Sequence, residues 1–270
     1  MRGGSQSQLM LCSDDELYVV KFQNNPQGVR ILANELLATT LAERLGLPTA
    51  PVAIVSVSED LIACSQEMVV ERSSGRVPLR HGLCFGSRCQ GRRDVGGGIT
   101  FRAAHDCLPQ RDLIRVENVS DFVGMLVFDK WTGNVDSRQA VFVQSGSWYR
   151  AVMIDHGSCF GGSRWDFFDC PPHGFYFPPV VYGDIRGFGT FEPWLDRLDR
   201  EIDSNVLNEA AQQIPPEWYG ADTSSLSRLV DRLDQRRKSV TIELWKAHRK
   251  FPQLFPRWIA RSMHARASSG

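Results

Sequence analysis

The chain has 270 residues, 42% of them hydrophobic and 23% charged, and its 31 basic residues balance 31 acidic ones. That length suits one large domain or two intimately packed ones with a sizeable core, and zero formal charge speaks against a bulk nucleic-acid binder, which carries a basic excess. No window reaches the ~18 apolar residues of a membrane span, and Met1 is followed by RGGSQSQ rather than an apolar leader.

In chain order, SQLMLCSDDELYVVKF predicts two short strands around a turn at Ser13, Asp14 and Asp15. VRILANELLATTLAERLG predicts a helix, with Leu37, Leu41 and Leu45 at helical spacing and Gly46 then Pro48 ending it. APVAIVSVS and LIACSQEMVVE read as further strands, which makes an α+β lobe of residues 1–75. Residues 76–118 show glycines, arginines and isolated aromatics without period; the inter-lobe connection is expected there, with DVGGGITF as a flexible loop. SDFVGMLVFDKW predicts a buried helix capped by Ser120. AVFVQSGSWYRAVMID is a hairpin turning at Ser-Gly-Ser. An irregular Pro- and aromatic-rich stretch follows, and then amphipathic helices, one of them with Ser224 as a capping residue, complete a lobe of residues 119–265.

Four features carry chemistry. RGGSQS is a small-residue turn entering a strand; glycines let backbone N–H groups approach phosphate oxygens and serines add hydroxyl donors, although a plain hairpin turn has the same look. Lys21 lies in a strand whose alternation puts Tyr18, Val20 and Phe22 on one face and Val19 and Lys21 on the other. Glu35 follows on the next helix, where a carboxylate also suits the helix dipole. A strand lysine followed by a helix carboxylate is how kinase-like folds hold a phosphate-binding ammonium. Finally, the hairpin returns Asp155 beside Asp136, and phosphoryl transfer needs one carboxylate near the acceptor hydroxyl and another on Mg²⁺.

The segments YVVKF, ANELLATTLAERLGLP, HGLCFGSR, FDKWTGNVDSRQAVFV and VMIDHG resemble the HipA-like kinase family over residues 3 to 245, with the pairing of a GNxD loop and IDHG as the specific mark. The resemblance implies a two-lobed protein-kinase-like α+β fold, with a small N-terminal lobe of sheet and one helix and a larger, mainly helical C-terminal lobe. ATP and Mg²⁺ would bind between the lobes. By position, Lys21 contacts the ATP phosphates, Glu35 orients it, Asp136 is the catalytic aspartate, Asp155 holds the metal, and Gly3, Gly4, Ser5, Gln6 and Ser7 cover the phosphates. The implied product is a phosphorylated hydroxyl, expected on a protein Ser/Thr, with ATP and that protein as partners.

Three departures qualify the match. Val141 stands where the family places a metal-binding asparagine, leaving Gln139 or Asn134 as the second ligand; Arg138 stands where a histidine is common; and the chain begins inside the glycine-rich stretch, without the strand expected before it or a separate N-terminal domain. A pseudokinase-like binding or regulatory module is the alternative.

Seven cysteines without a C-x-x-C pattern fit reduced thiols in a soluble, cytoplasmic protein. His81, His105 and His173 read as ordinary loop histidines rather than metal ligands, with His156 placed to steady the metal carboxylate. No G-x-S-x-G elbow supports a hydrolase.

Overall fold

The computed structural model describes residues 4–93, 99–101, 103–168 and 173–259. The first two strands, β1 (Gln8–Leu11) and β2 (Glu16–Lys21), pair antiparallel, with Asp15 taking φ +61° at their turn. Side chains alternate along β2 as expected. Tyr18, Val20 and the following Phe22 enter a small core with Val57, Met68, Val70, Leu79 and Cys84, whereas Val19 and Lys21 line a cleft on the other side.

Helix α1 (Arg30–Arg44) ends at Gly46, which takes φ +71° and donates its N–H to Glu43. Leu32, Leu36, Leu37 and Leu41 bury this helix in the larger core, the one that runs through the C-terminal half. Strand β3 (Val52–Val57) follows. The expected strand LIACSQEMVVE is two elements: a short helix α2 (Glu59–Cys64), then β4 (Val69–Arg72) paired with β5 (Gly75–Pro78). Ser58 starts α2 by accepting the Leu61 N–H at 3.2 Å, and a local cap decides the conformation where no residue of the helix is buried.

The segment expected to connect the lobes holds the middle strand of the first sheet. β6 (Gly82–Arg93) lies between β2 and β3, and β7 (Ile99–Phe101) pairs with it, so the sheet runs well past residue 75. Gly86 explains part of the misleading sequence: a Cβ there would lie 2.7 Å from Val55 and 3.2 Å from Tyr18, so the strands pack across a bare backbone. Most of DVGGGITF, residues 94–98, lies outside the described residues.

The chain enters the second sheet at β8 (Ala104–His105), which pairs with β9 (Gln139–Ser145), itself the partner of β10 (Trp148–Ile154) across Gly146 at φ +59°. Helix α3 (Asp121–Thr132) is buried from Phe122 to its end. Ser120 makes no side-chain cap; instead Asn118 donates to Asp121 at 3.1 Å and exchanges hydrogen bonds with Ala151, fastening the helix start to β10. The aromatic-rich segment after β10 sends Phe175, Tyr176, Tyr182 and Ile185 into the core. Helices α4 (Glu192–Glu201), α5 (Ser204–Gln212), α6 (Thr223–Arg237) and α7 (Val240–Lys250) complete the second lobe. The cap of α6 is Asp222, accepting the Ser225 N–H at 3.0 Å, and Ser224 serves it as a hydroxyl donor. Among the described residues no helix is long and apolar enough to cross a membrane.

Candidate active site

A cleft of about 800 Å³ opens between the two sheets, lined from the N-terminal side by Ser5, Ser7, Lys21 and Glu35 and from the C-terminal side by Gln139, Val141 and Asp155. Its chemistry centres on Lys21. The ammonium donates to Glu35 Oε1 and, at 2.8 Å, to Asp155 Oδ1. The second Glu35 oxygen accepts the backbone N–H of His156 at 2.9 Å. One strand, one helix and the end of a hairpin thus meet at a single cation.

Burial on its own would lower the pKa of Lys21, but Glu35 and Asp155 outweigh it and hold the ammonium firmly charged. Burial likewise opposes ionisation of Asp155, and Lys21 overcomes it, so that carboxylate stays below its usual range. Asp155 takes φ +59°, a left-handed conformation that aspartate tolerates better than most side chains.

Asn34, the neighbour of Glu35 on α1, is fully buried and holds the backbone that follows Asp155. Its amide nitrogen donates to Gly157 O at 2.7 Å, Cys159 O at 3.1 Å and Gly162 O at 3.2 Å, and its oxygen accepts from Trp165 Nε1 at 2.6 Å. Gly157 leaves room for the approach: a Cβ there would lie 2.6 Å from Ile31.

The loop between α3 and β9 positions Asp136. Its backbone N–H donates to Asn134 Oδ1 at 3.0 Å, its carbonyl accepts from Gly174 at 2.8 Å, and its exposed carboxylate accepts the Ser137 N–H at 2.7 Å. Asn134 is buried and donates its amide to Asp129 of α3 at 2.9 Å, so its carboxamide joins the helix to the loop and lies outside the cleft lining. Gln139, opposite Ile154 in the hairpin, donates Nε2 to Asp155 Oδ2 at 3.0 Å. Arg138 is buried against Asp129.

Of the residues expected at the site, Ser5, Ser7, Lys21, Glu35, Gln139 and Asp155 line the cleft together. Ser5 and Ser7 are buried, with hydroxyls 2.9 Å apart. Asp136 and Asn134 belong to the adjoining loop, two and four residues before the cleft-lining Arg138. Gln6 does not line the cleft: its carboxamide exchanges hydrogen bonds with the Glu71 backbone, pinning the chain start to β4. Gly4 is exposed and also outside the lining, and Gly3 lies outside the described residues. No group of three or more His, Cys, Asp or Glu among the described residues is arranged for a metal. His156 is buried, with Nδ1 3.4 Å from Arg138 Nη1. Asn34 and Asp129 were not anticipated. The available signal was a polar side chain in the buried stripe of each helix, which has to find a partner.

The sequence pattern of the HipA-like kinase family matches residues 1–247. The chain belongs to that family. No curated protein matches it closely enough to add to this. Among solved structures, this HipA-like kinase is similar to HipA of Shewanella oneidensis MR-1, seen in complex with HipB and operator DNA, at 12% identity and a TM-score of 0.57, covering 92% of this chain and 67% of that one. It is also similar to the proinflammatory kinase CtkA of Helicobacter pylori, at 13% identity and a TM-score of 0.52, covering 88% of this chain and 95% of that one. At such identities the likeness is one of fold, and both neighbours are kinase-like, as the two-lobed α+β architecture is.

Proposed function

We propose that this HipA-like kinase is an ATP- and Mg²⁺-dependent phosphotransferase acting in the cytoplasm on a hydroxyl acceptor, a Ser or Thr of a protein partner. The observation that carries the reading is the bridge from Lys21 to both Glu35 and Asp155 across the cleft. Lys21 neutralises phosphate charge and Glu35 keeps its ammonium aimed. The Ser5 and Ser7 hydroxyls supply donors to the phosphates. Asp136, exposed beside the cleft, accepts the acceptor's hydroxyl proton.

Oxygen donors suit magnesium, and the Asp155 carboxylate with the Gln139 carboxamide makes such a set. A magnesium ion held there would supply positive charge to offset that of the phosphates. Asp155 would hold it through its carboxylate and Gln139 through its carboxamide oxygen. Asp136→Ala and Asp155→Asn should each abolish ATP consumption with an unchanged circular-dichroism spectrum; undiminished turnover in either defeats the assignment.

One observation favours a second reading, a nucleotide-binding module without transfer. Val141 presents an apolar side chain to the cleft where the family's asparagine is expected, and Gln139 turns its amide nitrogen to Asp155. Titration calorimetry with ATP separates the two: binding that strengthens with Mg²⁺ supports the kinase, and binding indifferent to Mg²⁺ supports the module.

A further inference from the structure

Asp129 and Arg138 form an ion pair with side chains 0% and 1% exposed, and neither lies among the residues assigned a part in the reaction above. Such a pair is costly to bury and is weak evidence for stability by itself. Its hydrogen bonds indicate another use. Asp129 accepts from Arg138 Nε at 2.9 Å and from Nη2, and it also accepts the Asn134 amide at 2.9 Å. Asn134 in turn accepts the N–H of Asp136 at 3.0 Å. On the other side, Arg138 Nη1 donates to Ile154 O at 2.8 Å and reaches Asp155 O at 3.5 Å. A continuous chain of hydrogen bonds therefore runs from the backbone of Asp136, through Asn134, Asp129 and Arg138, to the backbone of Asp155.

We infer that Asp129 and Arg138 are positioning residues that set the distance between the catalytic-loop aspartate and the metal aspartate, Asn134 being the link to the loop. The geometry requires an arginine. The guanidinium fork spends Nε and Nη2 on one carboxylate and still has Nη1 for the hairpin, whereas a lysine offers a single point charge. It requires a carboxylate too, because one Asp129 oxygen is shared by the Arg138 fork and the Asn134 amide. Apolar side chains would fill the same volume and leave Asp136 and Asp155 unconnected. Misplacement of reacting groups by about 1 Å costs on the order of a hundredfold in rate.

This inference rests on the roles proposed for Asp136 and Asp155, and its test separates the two. Arg138→Met alone strands a buried carboxylate and should lower the melting temperature sharply. The double variant Asp129→Asn with Arg138→Met removes both charges and should regain much of that stability. Its turnover should nevertheless stay about ten- to a hundredfold below wild type, and calorimetry should show the Mg²⁺ concentration that half-enhances ATP binding raised severalfold, with metal-free ATP binding unchanged. Arg138→Lys should fold with a small loss of melting temperature and share the kinetic defect. A double variant with wild-type turnover and wild-type Mg²⁺ dependence overturns the inference, as does a defect that merely follows the unfolded fraction. If wild type binds ATP but transfers nothing, the Mg²⁺ midpoint still decides it. A wild-type chain that does not bind ATP at all overturns the underlying reading instead, and this inference with it.

Discussion

Lys21 and Asp155 stand 134 residues apart in the chain and 2.8 Å apart in space, and the same ammonium reaches Glu35. Lys21→Met leaves Glu35 as a buried carboxylate without its cation, which should cost about 3–5 kcal/mol of stability in urea unfolding. Phosphotransfer, assayed where the variant remains folded, should fall by at least about a hundredfold, because the ammonium is a preorganised charge held in place by two carboxylates. Glu35→Gln should be milder in both measurements, since it keeps an acceptor for Lys21 and removes one buried charge.

Asp136 and Asp155 should separate chemistry from binding. Asp136 is exposed and contributes to the loop chiefly through its backbone, so Asp136→Asn should change stability by no more than about 0.5 kcal/mol. ATP affinity should hold while turnover falls by about 10²–10⁴-fold, the range for a lost proton acceptor. Asp155→Asn should instead abolish the Mg²⁺ enhancement of ATP binding in calorimetry.

Asn34 offers a test of the scaffold. Replacement by Leu removes an amide that serves the buried Gly157 and Cys159 carbonyls, the part-buried Gly162 carbonyl and Trp165. The groups left unpaired should cost about 1–3 kcal/mol each where water cannot reach them. Thermal unfolding measures the loss, and limited proteolysis should reveal new cleavage within residues 157–165.

His156 predicts a pH dependence. Burial first, and then Arg138, keep its imidazole well below its ordinary value of 6.5. Below about pH 6.5 the unfolded chain takes up a proton that the native chain refuses. Stability from this residue is therefore fully present above that pH, and it is lost as pH falls toward the native value, by up to about 1.4 kcal/mol per unit. Urea midpoints between pH 5 and 8 should show this slope, and His156→Gln should flatten it.

Local rules made much of the fold legible. β1, β2, α1, α3 and the β9–β10 hairpin follow from alternation, helical spacing and turn residues, and the alternation along β2 separates Val19 and Lys21, which line the cleft, from Tyr18, Val20 and Phe22. β6 was hidden because Gly82, Gly86 and Gly91 interrupt its apolar pattern, and its burial comes from neighbours on both sides that only the tertiary fold supplies. Helix α2 was mistaken for a strand because Leu61-Ile62-Ala63 is too short an apolar run to reveal its period. The same limit applies at the site. Lys21, Glu35, Asp136 and Asp155 were marked by residue type and spacing, but the Asp129–Arg138 pair could not be read from a helix and a loop considered separately.

Helix α1 carries one further consequence. Its apolar face belongs to the core of the C-terminal lobe, while Asn34 and Glu35, consecutive on the helix, grip the backbone after Asp155 from one side and Lys21 from the other. The helix is thus riveted to both walls of the cleft. Swinging it outward would strip an asparagine, a glutamate and several leucines of their partners at once, so it cannot act as a cheap lever. Any change at the cleft then falls to whatever enters it or covers the loop of Asp136, where the chain is exposed and little has to be broken.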